Sequence, residues 1–264
     1  MKYSIVISAM LYLGTSGFSY DDWVGKFYPV GMSKKEWLFY YAREFNTCEI
    51  NSTYYALPRP SNLESMAEKT GDGFLFCIKA NQEMTHKREA NTSVFSAFCR
   101  VLQPLVSAGK LGCILAQFPY SFHFNRRNWD YLVQFKERLG ELPVVVEFRN
   151  AGWLRNDLFD WLRQKDIGFC CVDEPTLPNL IPTVAEATSI TGYIRFHGRN
   201  SAKWWHHEQA YERYDYSYTR QELSEWLPKI EKLNASTERT FIFANNHWQG
   251  QAVNTIRQLR LMLD

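Results

Sequence analysis

Eight short apolar runs in this chain of 264 residues each lead into polar or charged residues. The runs cover residues 11–13, 48–50, 74–78, 113–115, 144–146, 169–172, 193–196 and 241–243. Short apolar runs of this kind predict buried strands, and parallel barrels carry their reactive side chains at the carboxyl ends of such strands. The recurrence therefore predicts a parallel barrel with one reactive end.

Helical patterns separate these runs and set the fold class. They cover residues 36–45, 93–107, 126–139, 157–165, 223–233 and 251–263, with another from Ser61 to Gly71. Ser33, Ser61 and Thr219 are each followed three positions later by Glu, which predicts a capping box at each helix start. Eight alternations of strand and helix predict an α/β fold, a TIM (β/α)8 barrel. An open doubly wound sheet is the alternative, but no GxGxxG follows the first run.

The organisation predicted for the chain is one domain. No linker rich in Pro, Gly or Ser divides residues 11–264, and residues 1–10 are interpreted as an N-terminal extension. That extension is too short for a membrane span and shows no clear cleavage site. The six cysteines form no CxxC pair, which is typical of reduced thiols. We therefore expect a cytoplasmic protein with no membrane partner, and the oligomeric state stays open.

The polar strand ends supply the candidate chemistry. Side chains two apart on a strand share a face, so Glu49 groups with Asn51, Glu147 with Arg149, and Arg195 with His197 and Arg199. The predicted catalytic residues are Glu49, Glu147, Asp173 and His197, as carboxylates and a proton-transfer group near neutral pH. The predicted substrate-binding residues are Asn51, Tyr54, Lys79, Gln117, Arg149, Arg195, Arg199, Trp204, Asn245 and His247. For any single residue, a structural ion pair or hydrogen bond is an equal alternative.

The charges favour binding of an anion. Lys79, Arg149, Arg195 and Arg199 are four cations, and Arg and Lys bind phosphate as a planar fork and a point charge. The formal net charge of the chain is only +2, which gives no general support to nucleic-acid binding. The segment 195–218 interleaves basic and aromatic residues; it is interpreted as a lid over the barrel, with base or sugar stacking as the alternative.

A metal site receives weaker support. His197, His247 and the three carboxylates could hold one divalent metal ion, but the chain contains no HExxH motif and only six histidines. No cofactor is required by the sequence. A cluster of several zinc ions is not expected.

Several strings identify a resemblance that runs from residue 11 to the end of the chain. They include GTSGFSY at 14–20, FNTCEINSTYY at 45–55, QFPYSFHF at 117–124, VEFR at 146–149, DEP at 173–175, YIRFHGRN at 193–200 and NNH at 245–247. The chain resembles the YecE-like family (domain-of-unknown-function family seventy-two), which implies a TIM barrel. That barrel is similar to the barrels of endonuclease-IV-like enzymes, which implies phosphodiester or nucleic-acid chemistry by analogy. The chain departs from the family pattern at Asn150 and Gly152, and it lacks the histidines for a three-zinc site.

Three hypotheses about function follow. The leading one is a hydrolase-like enzyme acting on an anionic, phosphate-bearing substrate such as nucleic acid at the C-terminal mouth of the barrel. In it the four cations bind the anion, Glu147 or Glu49 acts as base, and His197 acts as acid or base. The alternatives are a non-catalytic nucleic-acid-binding protein and an enzyme for a sugar phosphate or other small acid.

Overall fold

Eight parallel strands form a nearly closed barrel in the computed structural model, which describes residues 10–264. The strands are β1 Met10–Thr15, β2 Thr47–Ile50, β3 Leu75–Lys79, β4 Leu111–Gln117, β5 Val144–Glu147, β6 Gly168–Asp173, β7 Thr191–Phe196 and β8 Arg239–Ala244. Seven neighbouring pairs are hydrogen-bonded in the order β1-β8-β7-β6-β5-β4-β3-β2. The predicted single-domain TIM barrel is confirmed. Residues 1–9 of the predicted N-terminal extension lie outside the described residues, and Met10 begins β1.

Eight α-helices connect the strands and cover the outside of the barrel. They are α1 Trp37–Tyr41, α2 Pro60–Glu68, α3 Thr92–Ser107, α4 Arg126–Leu139, α5 Asn156–Gln164, α6 Arg220–Ser224, α7 Leu227–Asn234 and α8 Gln251–Leu263. Short 3-10 turns lie at Asp21–Trp23, Lys34–Glu36, Ser52–Tyr54, Ala151–Trp153, Ala210–Tyr214 and Trp248–Gly250, and a π turn at Glu83–Lys87. Within residues 10–264, no helix has both the length and the apolar character needed to cross a membrane.

Two of the predicted capping boxes do not begin an α-helix. The capping box predicted at Ser61 is wrong, because α2 begins one residue earlier, at Pro60, and has no side-chain cap. Proline suits the first helical position, since its fixed φ matches the helix and its missing N–H needs no partner there. The capping box at Ser33 is present but caps a 3-10 turn, so the helix predicted at 36–45 shortens to α1.

The capping box at Thr219 is confirmed, and it begins a helix that breaks early. The Thr219 hydroxyl accepts from the backbone N–H of Glu222, whose carboxylate accepts from the N–H of Thr219. The predicted helix 223–233 is interrupted between Ser224 and Leu227, and Pro228 lies in the first turn of α7. Proline has no N–H to donate to the preceding turn, so a helix restarts at it more readily than it continues through it.

Side chains close the barrel between β1 and β2. The Asn46 amide accepts from the backbone N–H of Leu13 at 2.9 Å and donates to the carbonyl of Leu11 at 2.9 Å. The hydroxyl of Tyr41 accepts from the N–H of Thr15 and donates to the carbonyl of Thr47. These contacts satisfy backbone groups that a strand ladder would otherwise pair.

Gly14 is the point of closest approach across this seam. A Cβ at Gly14 would lie 2.2 Å from the carbonyl oxygen of Thr47. We expect Gly14→Ala to lower the free energy of unfolding by about 1–3 kcal/mol, because the strands must separate to admit the methyl group. Urea unfolding of the variant would measure the loss.

Gly71→Ala is the matched control, since a Cβ at Gly71 meets no heavy atom within 4 Å. If both variants unfold at the same urea concentration, the close packing of β1 against β2 does not limit this position.

Candidate functional site

Arg195 lies inside the barrel and joins three strands. Its Nη1 is 2.7 Å from Glu147 Oε2 on β5, and its Nη2 is 2.7 Å from Glu49 Oε1 on β2. Tyr193, two residues earlier and therefore on the same face of β7, donates its hydroxyl to Glu49 Oε2 at 2.7 Å. All four side chains are almost completely buried. The two carboxylates therefore each receive strong charge-assisted hydrogen bonds in a site shielded from water.

Arg149 forms a second layer above this bridge. Its Nη2 is 2.7 Å from Glu147 Oε1, and its Nη1 is 2.6 Å from Glu174 Oε2. The ring of His197 contacts the same layer, with Nε2 3.2 Å from Glu147 Oε1 and Nδ1 3.0 Å from the amide nitrogen of Asn245. Burial and the positive charge of Arg149 hold the pKa of His197 well below its usual range, so this histidine is neutral.

The pKa values of Glu147 and Glu174 are shifted in opposite directions. Burial opposes the ionisation of Glu147, but Arg149 and Arg195 outweigh it and hold the pKa of Glu147 well below its usual range. Burial raises the pKa of Glu174 to about 7, although Arg149 opposes the rise. Glu49 and Glu147 form ion pairs with the two guanidinium groups, and Glu174 adds a charge that depends on pH near neutrality.

A cavity of about 490 Å³ opens above this cluster at the C-terminal mouth of the barrel. Aromatic side chains form much of its wall, and polar side chains from the strand ends form its floor. The lining residues are Gly17, Phe18, Ser19, Tyr20, Ile50, Asn51, Ser52, Tyr54, Tyr55, Met66, Lys79, Gln117, Arg149, Arg195, Tyr214, Asn245 and His247. Its size suits a small organic molecule.

Lys79 contributes a cation to this cavity from the end of β3. Its ammonium group forms no ion pair within residues 10–264, and it lies 4.6 Å from the ring centroid of Tyr54. Burial, together with the nearby charge of Arg195, lowers the pKa of Lys79 to about 8. Burial and the charge of Lys79 lower the pKa of the adjacent His86 to about 4, so His86 is uncharged at neutral pH.

Besides Nε of Arg195, two buried polar atoms of lining residues have no hydrogen-bond partner inside the described part of the chain. They are the amide oxygen of Asn51 and Nδ1 of His247, and both atoms are buried. The imidazole of His247 is held by stacking on Tyr20, with ring centroids 4.6 Å apart and planes 3° apart. Buried polar atoms are normally hydrogen-bonded, so open ones in a cavity wall are available to a bound molecule.

Asp173 and Arg199 lie outside the cavity. Asp173 accepts hydrogen bonds from Arg199 at 2.7 Å, from the hydroxyl of Tyr218 at 2.6 Å and from Nε1 of Trp226 at 2.7 Å. Arg199 also reaches Glu225 at 2.9 Å. The structure thus separates Asp173 and Arg199 from the other predicted site residues. Their contacts join the end of β6 to Glu225 and Trp226, between α6 and α7 on the outside of the barrel.

Most aromatic side chains of the segment after β7 pack on the protein, although Trp205 is 44% exposed. Trp204 is buried, with the guanidinium carbon atoms of Arg149 and Arg213 at 5.6 and 5.4 Å from its ring centroid. Tyr211 stacks on Trp248 with centroids 3.8 Å apart. Among the aromatic residues of the segment Tyr214 lines the cavity, and the interpretation of the segment as a lid stays a prediction.

The predicted residues fall into four places, one of which is the pair Asp173 and Arg199 outside the cavity. Lys79, Asn51, Tyr54, Gln117, Arg149, Arg195, Asn245 and His247 line the cavity. Glu49, Glu147 and His197 lie beneath it, and Trp204 packs on Arg149. Sequence reasoning missed Tyr193 and Glu174; Tyr193 shares a strand face with Arg195, which is the signal that would have found it. No sequence signal marks Tyr20 as the partner of His247.

The described residues contain no group of three or more His, Cys, Asp or Glu side chains that could hold a metal ion. The donor set explains this result. Glu49 and Glu147 already pair with guanidinium groups at 2.7 Å. His197 contacts Glu147 beneath the cavity, whereas His247 stacks on Tyr20 in the cavity wall.

The fold and the site together define a single-domain (β/α)8 protein with an Arg–Glu cluster beneath a cavity at the C-terminal mouth. A family model described as "Protein of unknown function DUF72" matches residues 12–264, and the chain belongs to this family.

Relatives of known sequence and structure agree with that assignment. The chain is 30% identical to UPF0759 protein YunF of Bacillus subtilis over 97% of its own length and 95% of that protein. UPF0759 protein YecE of Escherichia coli is 32% identical over 53% of this chain and 49% of its own length. The crystal structure of a DUF72 family protein from Thermotoga maritima superposes with a TM-score of 0.88 at 36% identity, over 96% of this chain and 99% of the other.

Removal of Arg195 should leave the buried carboxylate of Glu49 without a counter-charge, while Glu147 keeps Arg149. We expect Arg195→Met to lower the free energy of unfolding by about 3–5 kcal/mol, as for other broken buried ion pairs. Arg257→Met is the control, because its pair with Glu44 is partly exposed and such pairs contribute about 1 kcal/mol or less. Similar urea midpoints for the two variants would contradict the structural role of the Arg195 bridge.

Glu174 should make stability depend on pH in a window set by its raised pKa. The carboxyl ionises at about 4.3 in the unfolded chain and at about 7 in the folded one. Its contribution is therefore present below about pH 4.3 and is lost as the pH rises toward 7. We expect Glu174→Gln to remove this loss, measured as the free energy of unfolding from pH 5 to 8. The exposed Glu231→Gln is the control and should leave the profile of the unmodified protein unchanged.

Proposed function

We propose that this protein is an enzyme that binds a small, anionic, phosphate-bearing substrate in the cavity at the C-terminal mouth of the barrel. One observation carries the proposal: Lys79 faces the cavity without a carboxylate partner among residues 10–264, while the two buried arginines are already neutralised by Glu49 and Glu147. The positive charge of this site is therefore directed at whatever enters the cavity. A partly buried cation attracts an anion more strongly than an exposed one, because water screens it less.

The surrounding groups suit such a ligand. Arg149 is only 11% exposed, but that part lines the cavity beside Lys79. The amide of Asn51, just after β2, and the amide of Gln117, at the end of β4, offer further donors; Gln117 also donates to the carbonyl of Phe118. In this proposal Lys79 and Arg149 attract the anion, and the amides orient the rest of the molecule.

The acid–base role belongs in this proposal to His247. Glu147 and His197 are buried beneath the lining, and their atoms are engaged with Arg149, Arg195 and each other. His247 lines the cavity, and burial lowers its pKa, so it is a neutral imidazole that can accept a proton. Glu147 then acts by orienting the guanidinium groups rather than by contact with substrate.

One observation favours a second candidate function, the binding of single-stranded nucleic acid without catalysis. Tyr55 is 74% exposed at the edge of the cavity that holds Lys79. Exposed aromatic rings beside cations are the usual platform for stacked bases. Steep weakening of oligonucleotide binding with rising salt would support this function, whereas undetectable binding of both DNA and RNA oligonucleotides would reject it.

Lys79→Met should weaken phosphate binding. Loss of a charge-assisted contact costs about 1.5–3 kcal/mol, which corresponds to a decrease in affinity of roughly tenfold or more. Isothermal titration with inorganic phosphate and with ribose 5-phosphate measures the change. Lys26→Met is the control, because Lys26 is exposed and hydrogen-bonds Gln249 on the surface. Equal phosphate affinity in Lys79→Met and the unmodified protein would refute the proposed anion site.

Turnover is tested separately from binding. Phosphate monoesters, diesters and sugar phosphates are incubated with the protein and with Lys79→Met, and products are analysed by mass spectrometry. Conversion by the unmodified protein alone supports an enzyme. Binding without conversion of any compound in the panel argues for a binding protein.

A further inference from the structure

Resting on the proposed function, we propose that Lys79 is the nucleophile of the cavity, and that its amine forms an imine with the carbonyl carbon of a small anionic aldehyde or ketone. The proposal narrows the substrate class from any phosphate-bearing molecule to one that also carries a carbonyl group. It rests first on the position of Lys79 at the end of a strand, on the cavity surface and partly buried.

Lys79 differs from Lys110 and Lys87 in the partners of its ammonium group. The ammonium of Lys110 donates to the carbonyls of Ala67 and Thr70 at 2.6 and 2.5 Å, and Lys87 pairs with Glu83 at 2.6 Å. Lys79 has instead an aromatic ring beside it and guanidinium groups near it. The absence of a carboxylate partner in the described part of the chain leaves its nitrogen open to a ligand.

Neighbouring cations and burial also prepare the amine for attack. Only the neutral amine is nucleophilic, and a cationic neighbourhood favours it. Burial and Arg195 lower the pKa of Lys79 to about 8. At about pH 7.5 the neutral amine is then roughly 200-fold more abundant than at an exposed lysine, whose pKa is about 10.4.

The covalent step balances without a further reactant. The lone pair of the Lys79 nitrogen forms a bond to the carbonyl carbon, and the π electrons move to the oxygen. One proton passes from nitrogen to that oxygen and gives a carbinolamine. Protonation of its hydroxyl and loss of water leave a C=N bond with a proton on nitrogen. The net change is one ammonium and one carbonyl converted into one iminium and one water.

The electrostatics of the cavity suit this product. The iminium keeps the single positive charge that Lys79 carries, so the phosphate or carboxylate of the same molecule is stabilised before and after the bond forms. Arg149 lines the cavity beside Lys79 and can meet that anionic group. The open Nδ1 of His247 lies in the same wall, where it can exchange the protons of the carbinolamine.

Reductive trapping tests the proposal on the intact chain. The protein is incubated at about pH 7.5 with dihydroxyacetone phosphate, pyruvate or acetone in the presence of cyanoborohydride, and modified peptides are identified by mass spectrometry. We expect the phosphate and carboxylate ketones to modify Lys79 at least tenfold faster than Lys26 or Lys110, and acetone to react more slowly because it lacks the anion. Equal modification of Lys79 and Lys26, or no adduct at Lys79, would overturn the proposal.

Two variants separate this proposal from the anion site on which it rests. Lys79→Arg keeps the charge but has no primary amine, so it should retain phosphate binding and lose the trapped adduct. Lys79→Met should lose both. Phosphate binding with no adduct in the unmodified protein refutes the imine alone, whereas an adduct with no phosphate binding refutes the anion site and leaves the nucleophile.

Discussion

The pairing of Arg195 with Glu49 and Glu147 is the interaction on which the rest of the site depends. A guanidinium buried in a barrel is costly unless each of its charges and hydrogens is met, and a carboxylate is equally costly. Nη1 and Nη2 of Arg195 meet Glu147 on β5 and Glu49 on β2 at 2.7 Å, while its Nε has no hydrogen-bond partner among the described residues. Apolar residues of similar volume could fill the same space without a loss of stability. The cluster is therefore better explained by the side chains that it positions above it than by its contribution to stability.

What it holds in place is Arg149, and through Arg149 the ring of Trp204. Glu147 has one oxygen on Arg195 and the other on Arg149, so one side chain fixes both guanidinium groups. Trp204 packs over Arg149 on the far side. These contacts pair Glu147 with both guanidinium groups, whereas Lys79 has no carboxylate partner in the described residues. Glu49 and Glu147 therefore lie one layer beneath the residues that line the cavity.

The sequence predicts the barrel well, because each strand is a local signal: an apolar run of the right length that ends in polar residues. It predicts less of the site, because that depends on which face of the strand a residue occupies. Cys170 lies near Glu147 inside the barrel, so Asp173, an odd number of positions later, points outward to Trp226. Residues two apart no longer share a face at Arg199, because Gly198, with a φ of 88°, turns the chain out of the strand.

Partners across the barrel are the part that no local pattern contains. Arg195 is 146 residues from Glu49 and 48 from Glu147, and only the closed ring brings the three together. The segment after β7 likewise makes contacts that its own composition does not show. Its basic and aromatic composition suits nucleic-acid binding when the segment is read alone, but the structure packs Trp204 on Arg149 and pairs Lys203 with Glu212 at 2.8 Å. Trp204 and Lys203 are therefore committed to contacts within the protein, and Tyr214 is the aromatic residue of this segment that lines the cavity.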